Sequence, residues 1–208
     1  MISLPAVNSS ARAPAWLSAT LIICFAAAPF ARAAGDTWRI DPAHSAVKFQ
    51  VRHLMLSDVS GRFDDVSGKV NYDGTNLGAA TISVSIATGS VDTGLALRDK
   101  HLRDQSILNA AAFPQIVFQS EQIQPLPDGS FKIRGELSMH GVSQNVNLTA
   151  QPLKVSTDSS GKQHLSTTAT GSLNRKDFGI FVDKLLDHGG AAVGESVGIT
   201  LDVSLIKE

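Results

Sequence analysis

The sequence predicts an all-β fold of about eight antiparallel strands with one helix inserted between two of them. Three observations carry this. Apolar and polar residues alternate with a period of two along most of the chain, turn-forming clusters separate the alternating runs, and one stretch breaks the pattern with helix formers.

The elements can be taken in order. "SAVKFQVRHLM" (45–55) puts Val47, Phe49 and Val51 on one face and Lys48, Gln50 and Arg52 on the other. His53 then stands on the apolar face, where another Val or Leu would continue the pattern. "VSGKVNY" sets Val66, Gly68, Val70 and Tyr72 against Ser67, Lys69 and Asn71, and "TISVSIA" sets Ile82, Val84 and Ile86 against Thr81, Ser83 and Ser85. "FKIRGELSM" gives Phe131, Ile133, Leu137 and Met139 against Lys132, Arg134, Glu136 and Ser138. "VGITLDVSL" gives Val197, Ile199, Leu201, Val203 and Leu205. Weaker alternation runs through "QIVFQSEQI", "NVNLTAQPLKV" and "HLSTTATGSL", and "YDGTN", "LPDGS" and "TDSSGK" supply turns. "LALRDKHLRDQSILN" (95–109) lacks alternation and predicts the helix, with Asp92 or Thr93 as N-cap and an end before Phe113-Pro114. A second irregular insert, "RKDFGIFVDKLLDHGGAA", precedes the last strand.

Residues 1–33 read as a signal peptide. Arg12 precedes the apolar run "PAWLSATLIICFAAAPF", too short to span a bilayer, and "ARA" offers a cleavage site after Ala33. An N-terminal membrane anchor is the competing reading. A lipoprotein fits poorly, because bulky Ile23 precedes Cys24 where a small residue is needed. Removing 33 of the 208 residues leaves 175, residues 34–208, which suits one domain with its own core. The segment 1–33 holds two of the 18 basic residues and none of the 19 acidic ones, so 16 against 19 leaves a net charge of −3. No basic face for nucleic acid is evident. The single cysteine leaves with the signal peptide, so stability must come from burial and ladder hydrogen bonds.

Amphipathic strands in this number form a sandwich or a closed barrel, and alternation alone does not say which way the apolar face points. In an outer-membrane barrel it would face lipid, but the aromatic girdles are missing. Trp38 and Tyr72 are the remaining amphipathic aromatics, and the last residues, "LIKE", lack a terminal aromatic. A soluble barrel of this size either fills with side chains or holds one small ligand.

Seven motifs in order, "IDPAHSAVKFQVRHL", "GRF", "SVDTG", "RDKHL", "AFPQIVFQS", "GELSMHGVS" and "NRKDFGI", resemble the YceI-like family over roughly residues 37–205. The resemblance implies an eight-stranded antiparallel lipocalin-like barrel, secreted to the periplasm, whose interior binds polyisoprenoid or a similar long-chain lipid. The chain departs from the family where an acidic-aromatic run of the "DFFD" type is expected and "RDQSILNAAAF" stands instead. Ser138 and Ser143 also replace threonines expected beside His140.

The expected lining is Val47, Phe49, Val51, His53, Val84, Ile86, Phe118, Ile133, Leu137, Ile199 and Leu201. His53 would sit near the rim, contacting a lipid head or bonding a backbone carbonyl. Arg98, His101 and Arg175 are candidate head-group contacts, since arginine matches phosphate oxygens in a bidentate fork. A structural role, tying the helix and the "NRKDFG" loop to the barrel, is the alternative for the two arginines. "SMHGVS" reads as a tight turn in which Gly141 supplies backbone freedom and His140 packs locally. "GESVG" (194–198) matches the nucleophile elbow, but Ser196 opens an alternating strand and no histidine follows. "DFG" (177–179) lacks the other nucleotide-site motifs, and the histidines at 44, 53, 101, 140, 164 and 188 show no metal-ligand spacing. The expectation is a non-catalytic carrier needing no cofactor or metal, loaded with polyisoprenoid or a fatty-acid-like lipid. It would be a monomer or homodimer. A transient membrane-protein partner, docking at "FGIFVDKLL" through Phe181 and Leu185, is the alternative role.

Overall fold

The computed structural model describes residues 35–53, 57–181 and 193–208. The expected signal peptide and most of the second insert, with Leu185, lie outside the described residues. Twelve strand segments follow in order: β1 (Asp36–Ile40), β2 (Ala46–His53), β3 (Ser57–Phe63), β4 (Val66–Tyr72), β5 (Thr81–Ala87), β6 (Val91–Asp92), β7 (Gln115–Pro125), β8 (Phe131–Met139), β9 (Val142–Ala150), β10 (Lys154–Thr157), β11 (Gln163–Asn174) and β12 (Val193–Lys207). The helix α1 (Ala96–Arg103) lies between β6 and β7.

These segments assemble into eight longer strands. β1 and β2 lie end to end beside β12, Ile40 opposite Leu205 and Ala46 opposite Asp202. The break between them is a 3-10 turn, Pro42–His44, where proline cannot donate to a ladder. Asp41 caps this turn by accepting from the Ala43 N–H (3.1 Å). β3 and β4 continue one another in the same way, as do β5 and β6, and β9 and β10 share one edge of β11. β11 then pairs with β12 from His164–Ile206 to Asn174–Ser196, which closes the ring. The result is a closed eight-stranded antiparallel barrel.

The apolar face points inward. Along β8, Phe131, Ile133, Gly135 and Leu137 are buried while Lys132, Arg134 and Glu136 are exposed. The outer wall carries ion pairs such as Lys48–Asp202 (2.8 Å), Arg52–Asp58 (3.0 Å) and Lys176–Glu195 (2.6 Å).

α1 is shorter than the sequence predicts. It ends at Arg103 rather than near Asn109, because the chain turns so that Ile107 and Leu108 enter the core. The N-cap is Leu95, without a side-chain cap. Asp92 instead accepts from the Gly94 N–H (2.8 Å), and the Thr93 hydroxyl is engaged by Asp99 (2.6 Å). Burial outweighs local capping here.

Candidate functional site

The two ends of the barrel differ. β6 and β11 run toward one end, called here the rim, which also carries the β2–β3 and β8–β9 turns. The opposite end is packed solid by Trp38, Ile123, Phe131, Ala150, Leu165 and Leu205, none more than 6% exposed. Toward the rim, inward residues keep accessible surface: Phe49, Val51, Val59, Gly61, Val146, Leu173, Val197, Ile199 and Leu201 are only half-buried.

The expected lining does not divide by height along the barrel, since Leu137 stands two residues from the β8–β9 turn and Ile86 stands nearer the rim than Val84. Val47, Ile86, Phe118, Ile133 and Leu137 are buried core, whereas Phe49, Val51, His53, Val84, Ile199 and Leu201 are half-buried. His53 ends β2 at the rim, opposite Ser57 and Val193. Gly61, Phe49, Ile199 and Gly171 form one inward row across four strands. A Cβ on Gly61 would meet Phe49 Cε1 and Thr93 Cγ2, each at 2.8 Å. One on Gly171 would meet Leu148 Cδ2 at 2.7 Å. These glycines give room to neighbouring side chains. Reading the glycines on the apolar phase of each run, as at Gly68, would have found Gly61 and Gly171.

The candidate head-group residues are placed differently from one another. Arg98 donates from Nε to Thr93 Oγ1 (2.7 Å) and from Nη2 to Thr93 O (2.9 Å). Thr93 in turn donates its N–H and hydroxyl to Asp99 Oδ1 (2.8 and 2.6 Å). Those bonds from Thr93, opposed in part by burial, hold the Asp99 carboxyl below its ordinary value, with Arg103 and Arg98 assisting. His101 is exposed on α1. Arg175, only 5% exposed, donates to the carbonyls of Gly194 (3.0 Å), Ile180 (2.6 Å) and Val193 (3.1 Å). It therefore ties the first part of the second insert to the start of β12. At the β8–β9 turn both His140 (φ 55) and Gly141 (φ 78) are left-handed, as a two-residue type I′ hairpin requires. His140 stands edge-on to Phe113, with ring centroids 5.3 Å apart, and its Nδ1 lies 3.1 Å from the Phe178 carbonyl. Ser138 and Ser143 share a hydrogen bond of 2.6 Å.

Two recesses open on the wall. One of about 700 Å³ is bounded by Phe49, Gly61, Gly171 and Ile199 of the inward row together with Lys48, Gln50, Arg62, Asp92 and Thr200. The other, about 590 Å³, lies between β9 and β11 among Asn145, Asn147, Ser172 and Asn174. The second is lined chiefly by polar groups, whereas the first takes in the inward row itself, so the space beside Phe49, Gly61, Gly171 and Ile199 is the better container for an apolar molecule. Among the described residues, no three His, Cys, Asp or Glu side chains gather as a metal ion needs.

A closed antiparallel barrel with an apolar interior defines a lipocalin-like scaffold. The model of the YceI-like domain matches residues 38–205, and the chain belongs to that family. A UPF0312 protein of Shewanella sp. strain MR-7 is 37% identical over 169 residues, covering 80% of this chain and 88% of that one. The crystal structure of Burkholderia cenocepacia BcnA superimposes with a TM-score of 0.67 at 20% identity, covering 79% of this chain and 98% of that one. A polyisoprenoid binding domain from Saccharophagus degradans, implicated in plant cell wall breakdown, gives a TM-score of 0.60 at 14% identity, covering 82% and 98%.

Proposed function

We propose that this protein is a periplasmic carrier that holds a long-chain amphipathic lipid of the polyisoprenoid type inside the barrel, without catalysis and without a required cofactor. The observation that carries this reading is the set of inward, half-buried residues on β2, β3, β11 and β12, among them Phe49, Gly61, Gly171 and Ile199, which border a recess of about 700 Å³. The signal-like segment 1–33 supports the location. The polyisoprenoid binding domain among the structural neighbours supports the ligand class.

The driving force is desolvation. Each methylene moved from water into an apolar lumen contributes roughly 0.8 kcal/mol, so about twenty give ~16 kcal/mol before association and chain ordering subtract a large share. Micromolar or tighter binding needs no strong polar contact. Specificity then rests on chain length and on groups at the rim, where His53 is placed.

The test uses residues 34–208, which contain every paired strand of the ring. The purified chain is extracted with organic solvent and the extract analysed by mass spectrometry. A long-chain lipid recovered in constant ratio to protein is expected. Protein that is repeatedly lipid-free and takes up no added prenol overturns the carrier reading.

A further inference from the structure

β9 and β11 separate partway along their length. Their ladder runs only from Ala150–Ala169 to Leu148–Gly171, although β9 stays paired with β8 as far as Val142 and β11 with β12 as far as Asn174. Gly171 marks the last close approach, since a Cβ there would stand 2.8 Å from the Asn147 carbonyl oxygen. Beyond it the facing edges are not paired with each other, and the recess of about 590 Å³ occupies the wedge between them. The turn Arg175–Phe178 bridges the wide end, where Gln144 Nε2 donates to the Asp177 carbonyl (3.1 Å).

This cleft is graded across the wall. Val146 and Leu173, half-buried, stand on the inward phase of their strands, whereas Asn145, Asn147 and Ser172 are exposed on the outward phase. Thr170 and Gly171 border both this recess and the one beside Phe49 and Ile199, so the two spaces adjoin at β11. A lipid chain lying beside Phe49 and Ile199 can set one end in the cleft with no side chain at residue 171 between.

The chemistry on offer there is that of uncharged groups. Among the described residues bordering the cleft, Asp177 alone is charged. The cations nearby are committed. Lys176 pairs with Glu195 (2.6 Å), and Arg175 spends its guanidinium on three backbone carbonyls. Arg134, opposite Asn147 on β8, pairs with Glu121 (3.3 Å). Around the adjoining recess, Lys48 pairs with Asp202 (2.8 Å) and Arg62 with Asp64 and Asp92 (2.6 and 3.0 Å). A phosphate would meet a carboxylate and no uncommitted cation, whereas a hydroxyl meets amides and hydroxyls that both donate and accept.

We propose that the polar end of the bound lipid lies in the cleft between β9 and β11 and is uncharged, an alcohol or other neutral hydrogen-bonding head and not a phosphate. This rests on the carrier reading and adds to it the place and the charge of the head.

The experiment titrates lipid-free residues 34–208 with geranylgeraniol, geranylgeranyl phosphate and the headless hydrocarbon phytane, and takes apparent Kd values from the rise in melting temperature. The alcohol should bind about tenfold tighter than the phosphate, which faces an unpaired carboxylate. Asn147→Leu and Ser172→Ala, both on the outer surface, should each weaken the alcohol about fivefold, the worth of one hydrogen bond, and leave phytane unchanged. Asp177→Asn should strengthen the phosphate and leave the alcohol as it was. Phosphate bound as tightly as alcohol, or variants that leave alcohol binding intact or weaken alcohol and phytane alike, overturns the assignment of the cleft. If none of the three ligands raises the melting temperature, the carrier reading falls and the cleft with it, so the two failures are distinguishable.

Discussion

Arg175 shows how one side chain can hold a loop without an opposite charge beside it. Its guanidinium is buried and spends three N–H groups on three backbone carbonyls, two of them at the start of β12 and one at Ile180. Removing the fork leaves those carbonyls without donors in a site that water reaches poorly, and each such loss costs about 1–3 kcal/mol. Arg175→Met is therefore expected to lower the stability by about 3 kcal/mol in a denaturant titration, somewhat less than the separate losses would sum to. Arg175→Lys should recover only part of this, since a single ammonium cannot reach three carbonyls that a planar fork spans. The sequence offered Arg175 as a tie or as a phosphate ligand. Only the fold shows that it joins Ile180, inside the second insert, to Val193 and Gly194 at the start of β12.

At the level of elements, α1 depends on a carboxylate rather than on a cap. Asp99 accepts two hydrogen bonds from Thr93, and these hold its carboxyl below the ordinary aspartate value of 3.8. A depressed folded value means that the stabilisation is present above the ordinary value and is lost as pH falls through the folded one. The Thr93 amide resonance should accordingly titrate with a midpoint below 3.8, and the melting temperature should fall more steeply in acid for wild type than for Asp99→Asn. A midpoint at or above the ordinary value would show that the contact does not form in solution. The strands themselves were legible, since period-two alternation marks one buried face directly. The breaks at Pro42–His44 and Thr88–Ser90 were not, because each 3-10 turn keeps the chain on the same neighbour and leaves the apolar phase nearly intact. The early end of α1 was hidden for another reason, in that Ile107 and Leu108 answer to a distant core and not to helix propensity.

For the whole molecule, inward direction could be read from the sequence but depth could not. Alternation assigns Leu137 and Ile199 to the same face, yet one is 8% exposed and the other keeps accessible surface. Leu137 lies two residues from the β8–β9 turn, so the difference comes from which side chains face each residue across the ring, and no local pattern encodes that. This difference separates residues that hold the barrel together from residues that would meet a ligand, and a paired experiment tests it. Leu165, 3% exposed in the floor, should cost about 2–5 kcal/mol when cut to alanine, as buried leucines do. Ile199→Trp instead adds bulk to open space and should leave the ligand-free melting temperature close to wild type. Binding to the folded state adds RT ln(1 + [L]/Kd), about 2.7 kcal/mol at a hundredfold excess over Kd. For a chain of this size each kcal/mol moves Tm by about 2–4 °C, so added long-chain prenol should raise wild-type Tm by roughly 5–10 °C. Leu165→Ala should melt lower and keep that increment, while Ile199→Trp should melt normally and lose it. If Ile199→Trp unfolds the barrel instead, the space between Phe49, Ile199 and Leu201 is already filled by their own atoms, and the lipid would have to lie elsewhere.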